Sequence, residues 1–193
     1  MTLRTRNTPP AATTLRDILS QVQTAADARR TAREMQNAAD ADALCEMLRD
    51  PDETLACRAA WILSHLPAPE RALSGERTEL LIDVAMRCRH AGLRRISLSL
   101  VRRRLRTPRA DFLDFCLERT VDRKEAPAVR ALCLKLAGES CRTDPDLRRE
   151  LRTWLEVMEP DALPPSLRTV RRHVAAALGD EKPQRSARHR RQD

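Results

Sequence analysis

Tyrosine is absent from this 193-residue chain, and two phenylalanines and two tryptophans are its only aromatic residues. Glycine is scarce at four residues, and of 36 cationic side chains only Lys124, Lys135 and Lys182 are lysines. The shortage of aromatic and β-branched residues argues against a large β-sheet protein. So few glycines beside 33% charged residues exclude a collagen-like or linker-like chain. No apolar run approaches the roughly 18 residues of a membrane span, so no membrane partner is expected. Residues 1–14 carry charge but no apolar stretch, which excludes a secretory signal. The six cysteines, at 45, 57, 88, 116, 133 and 141, include no C-x-x-C pair. They are expected to be small core residues of a cytoplasmic protein, with no metal and no cofactor.

Helical periodicity is what the chain does have. Leu15, Ile18, Leu19 and Val22 recur at i, i+3, i+4 and i+7, and Thr14 with Asp17 forms a capping-box-like start. Further starts are read at Asp40, Thr78, Thr107-Pro108 and Asp144-Pro145, and helix ends at Gly138 and Gly179. The pattern predicts about ten helices with short connections and no strand.

Four segments align: CRAAWILSHL, LRRISLSLVR, VRALCLKLAG and LRTVRRHVAA. Their second residues are Arg58, Arg94, Arg130 and Arg168, spaced 36, 36 and 38 residues apart, each after an apolar residue. Amphipathic stretches at 41–49, 78–88, 109–119 and 145–158 precede them. A helix–turn–helix unit of this period signals a solenoid, because one helix pair cannot bury its apolar stripe alone. The run Leu48-Arg49-Asp50-Pro51-Asp52 through Cys57-Arg58-Ala59-Ala60 resembles a HEAT repeat, and the longer stretch to His173 also looks like small bacterial HEAT-like proteins. The resemblance implies an all-α, right-handed α-α superhelix of four to five helix pairs over 14–179, with second helices on the concave side. It also implies an Asp–Arg ladder of Asp52 with Arg58, continued by Arg94, Arg130 and Arg168. Residues 1–13 and the basic stretch 180–193 are expected to be disordered.

Charge is concentrated. Residues 84–110 carry nine arginines and no acid, and residues 182–193 carry a net +4. On a helix over about 91–106, Arg95, Arg102, Arg103 and Arg106, with Ser99, fall opposite Leu93, Ile96, Leu100 and Val101. That stripe of guanidinium groups is about 16 Å long. Like charges at this spacing weaken a helix, so the stripe is either a solvated face or a site for an anionic partner.

Motifs for hydrolase, phosphate-loop, dinucleotide and zinc-protease chemistry are absent, so no catalytic residue is expected. The D-x-D pairs at 40/42, 50/52 and 144/146 stand at turns or helix starts, where capping explains them. Trp61 and His65 share a helix face as core and boundary residues, His173 is a boundary residue, and Cys88-Arg89-His90 lacks further metal ligands. HEAT-like DNA glycosylases place a catalytic Asp on the concave face, whereas segments 55–66, 93–106 and 129–137 contain no Asp or Glu. The expected function is a non-enzymatic scaffold that binds a protein partner on its concave face. The alternative is phosphate-backbone binding of nucleic acid by the arginine stripe and basic tail. That alternative requires the stripe to be free of nearby acids.

Overall fold

The computed structural model describes residues 14–35, 37–66, 75–104 and 109–179. Among them are ten α-helices and no strand. They are α1 (Leu15–Gln21), α2 (Ala25–Glu34), α3 (Ala38–Met47), α4 (Glu53–His65) and α5 (Gly75–Arg87). There follow α6 (Ala91–Arg102), α7 (Ala110–Val121), α8 (Pro127–Ser140), α9 (Pro145–Glu156) and α10 (Pro165–Gly179). Arg106, Thr107-Pro108 and both expected terminal tails lie outside the described residues.

Side-chain caps set most helix starts. Thr14 Oγ1 accepts from the Asp17 amide at 3.2 Å, and Asp17 Oδ2 accepts from the Thr14 amide at 3.1 Å. The same reciprocal box recurs at Thr24/Asp27 and Asn37/Asp40, so Asn37 caps α3 and Asp40 sits inside its first turn. Asp144 accepts from the amides of Asp146 and Leu147 at 2.9 and 3.1 Å, with Pro145 at the first helical position. α5 starts earlier than the sequence suggests, at Gly75, which buries Thr78 in its first turn.

The helices pair as α3 with α4, α5 with α6, α7 with α8 and α9 with α10. The second members stack in one row, α2 on α4, α4 on α6, α6 on α8 and α8 on α10, while α1 lies against α4. This is an α-helical solenoid, as expected. Leu, Ile, Val, Ala and Cys side chains form one continuous core. Five cysteines are buried in it and Cys57 is half-buried. α8 is held by α6, α7 and α10, and nine of its 14 residues are buried as a result.

Gly138 does not end a helix. It lies within α8, where a Cβ would stand 2.7 Å from Val174 Cγ1 and 3.0 Å from Cγ2. Glycine is needed there for the close approach of α10. Gly138→Ala is expected to cost about 1–3 kcal/mol of stability through overpacking. Val174→Ala in the same chain should recover most of that loss in a denaturant melt, since it removes the clashing methyls.

Candidate functional site

The repeat arginines serve helix ends. The last carbonyls of a helix lack intrahelical partners and carry partial negative charge, which a guanidinium satisfies. Arg58 Nη1 donates to the Leu19 and Ser20 carbonyls of α1 at 3.4 and 3.2 Å, and Nη2 to Gln23 Oε1 at 3.1 Å. Arg94 donates to Ala85 O at 3.2 Å and to Cys88 O, closing the end of α5. Arg130 Nε donates to Thr120 O of α7 at 2.9 Å. In the last pair it is Arg171, not Arg168, that reaches the end of α9, with Nε 3.1 Å and Nη2 2.8 Å from Leu155 O. Arg168 is exposed and donates to Asp161 O and Leu163 O at 3.4 and 3.3 Å. Arg171 is one helical turn beyond the aligned position, a shift that repeat spacing alone does not reveal.

Asp52 does not pair with Arg58. It caps α4, its Oδ1 accepting from the Thr54 amide at 2.9 Å, and that bond holds its carboxyl below the ordinary carboxylate range. Among these arginines the ion pair across repeats is Arg94 Nη1 with Glu125 Oε2 at 2.5 Å, on side chains only 13% and 5% exposed. Asp122, just after α7, pairs with Arg119 at 3.2 Å.

The arginine stripe divides on inspection. Arg95 and Arg103 are exposed and meet no carboxylate among the described residues, whereas Arg102 Nε is bound to Glu139 Oε1 of α8 at 2.9 Å. Arg102 therefore fails the condition of a stripe free of acids. Longer helices than the sequence suggested bring Glu53 into α4 and Glu139 into α8. Glu53 accepts from the amides of Arg89 and His90 at 2.8 and 2.7 Å, and so positions the turn before α6. His90 Nδ1 then caps α6 by accepting from the Leu93 amide at 3.1 Å. Cys88 is buried in the core. The Cys88-Arg89-His90 triplet is thus occupied by packing and capping.

A larger pattern emerges from the pairing. The first helices, α1, α3, α5, α7 and α9, carry a net charge of −6, and the stacked second helices carry +8. No linear segment displays this division, because the two layers alternate along the chain.

Trp61 and His65 are both half-buried on α4 within the second-helix row. Burial, then the nearby cations Arg29 of α2 and Arg103 at the end of α6, lowers the His65 pKa below 6.5. The unfolded chain accepts that proton more readily, so stability falls as pH drops through the ordinary histidine range and levels off below the folded midpoint. In an NMR titration His65 should titrate below 6.5, and Arg103→Gln should raise the midpoint part of the way. An unshifted midpoint would contradict this environment.

Five of the six cysteines are unsuited to nucleophilic work. Burial pushes the thiols of Cys88 and Cys141 up to about 11, and those of Cys45 and Cys57 upward as well. The Cys116 thiol is raised by its hydrogen bond with Cys133 and by burial. Thiolate, the reactive form, is correspondingly scarce at neutral pH.

Two of the grooves among the described residues bear on the charge layers. The larger, about 710 Å³, opens on the first-helix side over Leu48, Leu80 and Val84. Four of its five lining carboxylates are already engaged. Asp50 holds Arg16, Glu53 holds the turn before α6, and Glu79 and Asp83 hold Arg109 at 3.0 and 3.1 Å. The smaller groove, about 200 Å³, lies between α8 and α10 within the second-helix layer. Val170, Val174 and Ala177 form its apolar wall, and Lys135, Arg142 and His173 stand around it.

No described helix is long and apolar enough to cross a membrane. No curated protein and no solved structure matches the chain. HEAT repeats generally act as protein-interaction scaffolds. With its paired helices and stacked second-helix row, and with the model of the HEAT repeat domain matching residues 15–178, the chain belongs to the HEAT repeat family.

Proposed function

We propose that this chain is a non-enzymatic, cytoplasmic HEAT scaffold that binds an acidic segment of a partner protein along its second-helix layer. The observation that carries this reading is the division of charge, +8 on the second helices against −6 on the first. Arg58, Arg94, Arg130 and Arg171 of that layer turn to helix ends, and the cations left on its exposed face steer an acidic partner. Arg95 and Arg103 are among the exposed groups on that face that no carboxylate neutralises among the described residues. The buried thiols of Cys88 and Cys141 are raised to about 11, which makes them poor nucleophiles at neutral pH.

Phosphate-backbone binding draws on the same charge but fits the details less well. A phosphate at Arg102 has to displace Glu139 from its 2.9 Å ion pair. The scarcity of aromatic residues removes the stacking platforms used for single strands.

The test is fluorescence anisotropy of a labelled Glu/Asp-rich peptide and of labelled duplex DNA at two salt concentrations. The protein is compared with its Arg95→Glu/Arg103→Glu variant. The peptide is expected to bind and to weaken at least tenfold in the variant. Tight, steeply salt-dependent binding of the duplex alone, lost in the same variant, would replace the scaffold reading with nucleic-acid binding.

A further inference from the structure

We infer that the groove between α8 and α10 is the anchor site of the second-helix face, taking one apolar side chain of an acidic peptide segment whose carboxylates rest on Lys135, Arg142 and His173. This inference rests on the acidic-partner reading above and names the feature that would make such binding selective. The groove's volume, about 200 Å³, suits one aliphatic side chain. It is below the roughly 300–1,000 Å³ typical of small-molecule pockets.

The sequence builds this site from two helix faces. Val170, Val174 and Ala177 recur at i, i+4 and i+7 on α10, so their side chains form one apolar wall. Gly138 of α8 lets that wall come close, since a Cβ there would meet Val174 Cγ1 at 2.7 Å. The groove is therefore shallow and apolar at its base.

The rim is cationic in effect although it contains an acid. Glu139 lies in the groove, but Arg102 Nε holds its two carboxylate oxygens at 2.9 and 3.1 Å. That charge is neutralised within the fold. Lys135, Arg142 and His173 meet no carboxylate among the described residues. An apolar centre with an unneutralised cationic rim complements an apolar residue flanked by Glu or Asp. The buried side chain would supply affinity and the flanking charges association rate and salt dependence. A nucleic-acid strand offers no aliphatic side chain for the wall, and the groove presents no Phe, Tyr or Trp ring to a base.

The experiment compares two labelled short acidic peptides, identical except for a central leucine or serine, binding to the full chain. Three variants accompany it: Ala177→Trp, Lys135→Glu/Arg142→Glu and Arg95→Glu/Arg103→Glu. Ala177 is exposed, so tryptophan can fill the groove from its rim, and circular dichroism checks that the variant folds. The leucine peptide is expected to bind about tenfold tighter than the serine peptide. Ala177→Trp should abolish that advantage and leave serine-peptide affinity unchanged. Lys135→Glu/Arg142→Glu should weaken both peptides.

Equal affinity for the two peptides on the unaltered protein overturns the groove proposal without any variant. So does a leucine preference that survives Ala177→Trp. If both peptides bind equally and are lost in Arg95→Glu/Arg103→Glu, the scaffold reading stands and the groove is rejected. Failure of both peptides to bind at low salt overturns the two together.

Discussion

Arg94→Ala is expected to lower the unfolding free energy by about 3–5 kcal/mol, the range for removing one member of a buried ion pair. The Arg94 side chain is only 13% exposed, and that of its partner Glu125 only 5%. Deletion leaves the Glu125 carboxylate in the fold without its 2.5 Å counter-ion. It also strips Ala85 O and Cys88 O, at the end of α5, of their donor. For a chain of this size the thermal midpoint should fall by roughly 10 °C. The cost belongs to the orphaned charge more than to the attraction itself. The double variant Arg94→Met/Glu125→Leu should therefore recover most of the loss, since well-packed apolar residues often replace a buried pair without penalty. Thermal denaturation of both variants checks the prediction. A double variant as unstable as the single one would show that the carbonyl contacts, not the ion pair, dominate.

Phe112→Ala should be comparably damaging, at about 3–5 kcal/mol. Phe112 is 1% exposed and heads the large side chains of the core by volume. It lies on α7, which packs on α8, the helix that contacts three others. Its ring is stacked on Phe115 with centroids 6.3 Å apart, and the Arg119 guanidinium carbon sits 5.5 Å from the Phe115 centroid. Truncation removes the ring's buried area and leaves a cavity that helices held on several sides close poorly. Phe112→Leu keeps more of the volume and should cost less than about 1.5 kcal/mol. Equal costs for the two substitutions in a denaturant melt would contradict this account. Broadening of the transition in Phe112→Ala would indicate that α7 and α8 couple the two ends of the solenoid, since each repeat contacts only its neighbours.

The fold was legible because its causes are local or periodic. Thr14 with Asp17 and Asp144 with Pro145 cap helices where the sequence places them, since capping groups act across two or three residues. Arg58, Arg94 and Arg130, 36 residues apart, stand at equivalent places in successive second helices, since stacked units need equivalent contacts. Where the reading differs, a distant partner decided. Gly138 looks like a helix terminator until Val174 of α10 is seen against it. Arg168 has the repeat spacing, but Arg171, one turn later, faces Leu155 O. Glu125 stands just before α8, which carries Arg130, yet it meets Arg94 of the preceding pair.

The candidate site was less legible. The arginine-rich run 84–110 is plain in the sequence, but its arginines have different fates. Arg94 is half-buried at a helix end, Arg102 is held by Glu139, Arg109 is held by Glu79, Asp83 and Asp111, and Arg95 and Arg103 are exposed. Lys135, Arg142 and His173 had no common signal, because they come from two helices and a turn that only packing brings to one groove.

By itself, then, the sequence determined the helical class, the repeat unit, the helix starts at Thr14 and Asp144 and the location of excess charge. Each depends on neighbours within a few residues or on a period along one chain. Only the tertiary structure decided which arginines remain free, why position 138 is glycine, and how charge divides between the layers. Those depend on which helix lies beside which. Stacking every second helix into one row gathers +8 on one layer, from residues that the sequence scatters across more than a hundred positions.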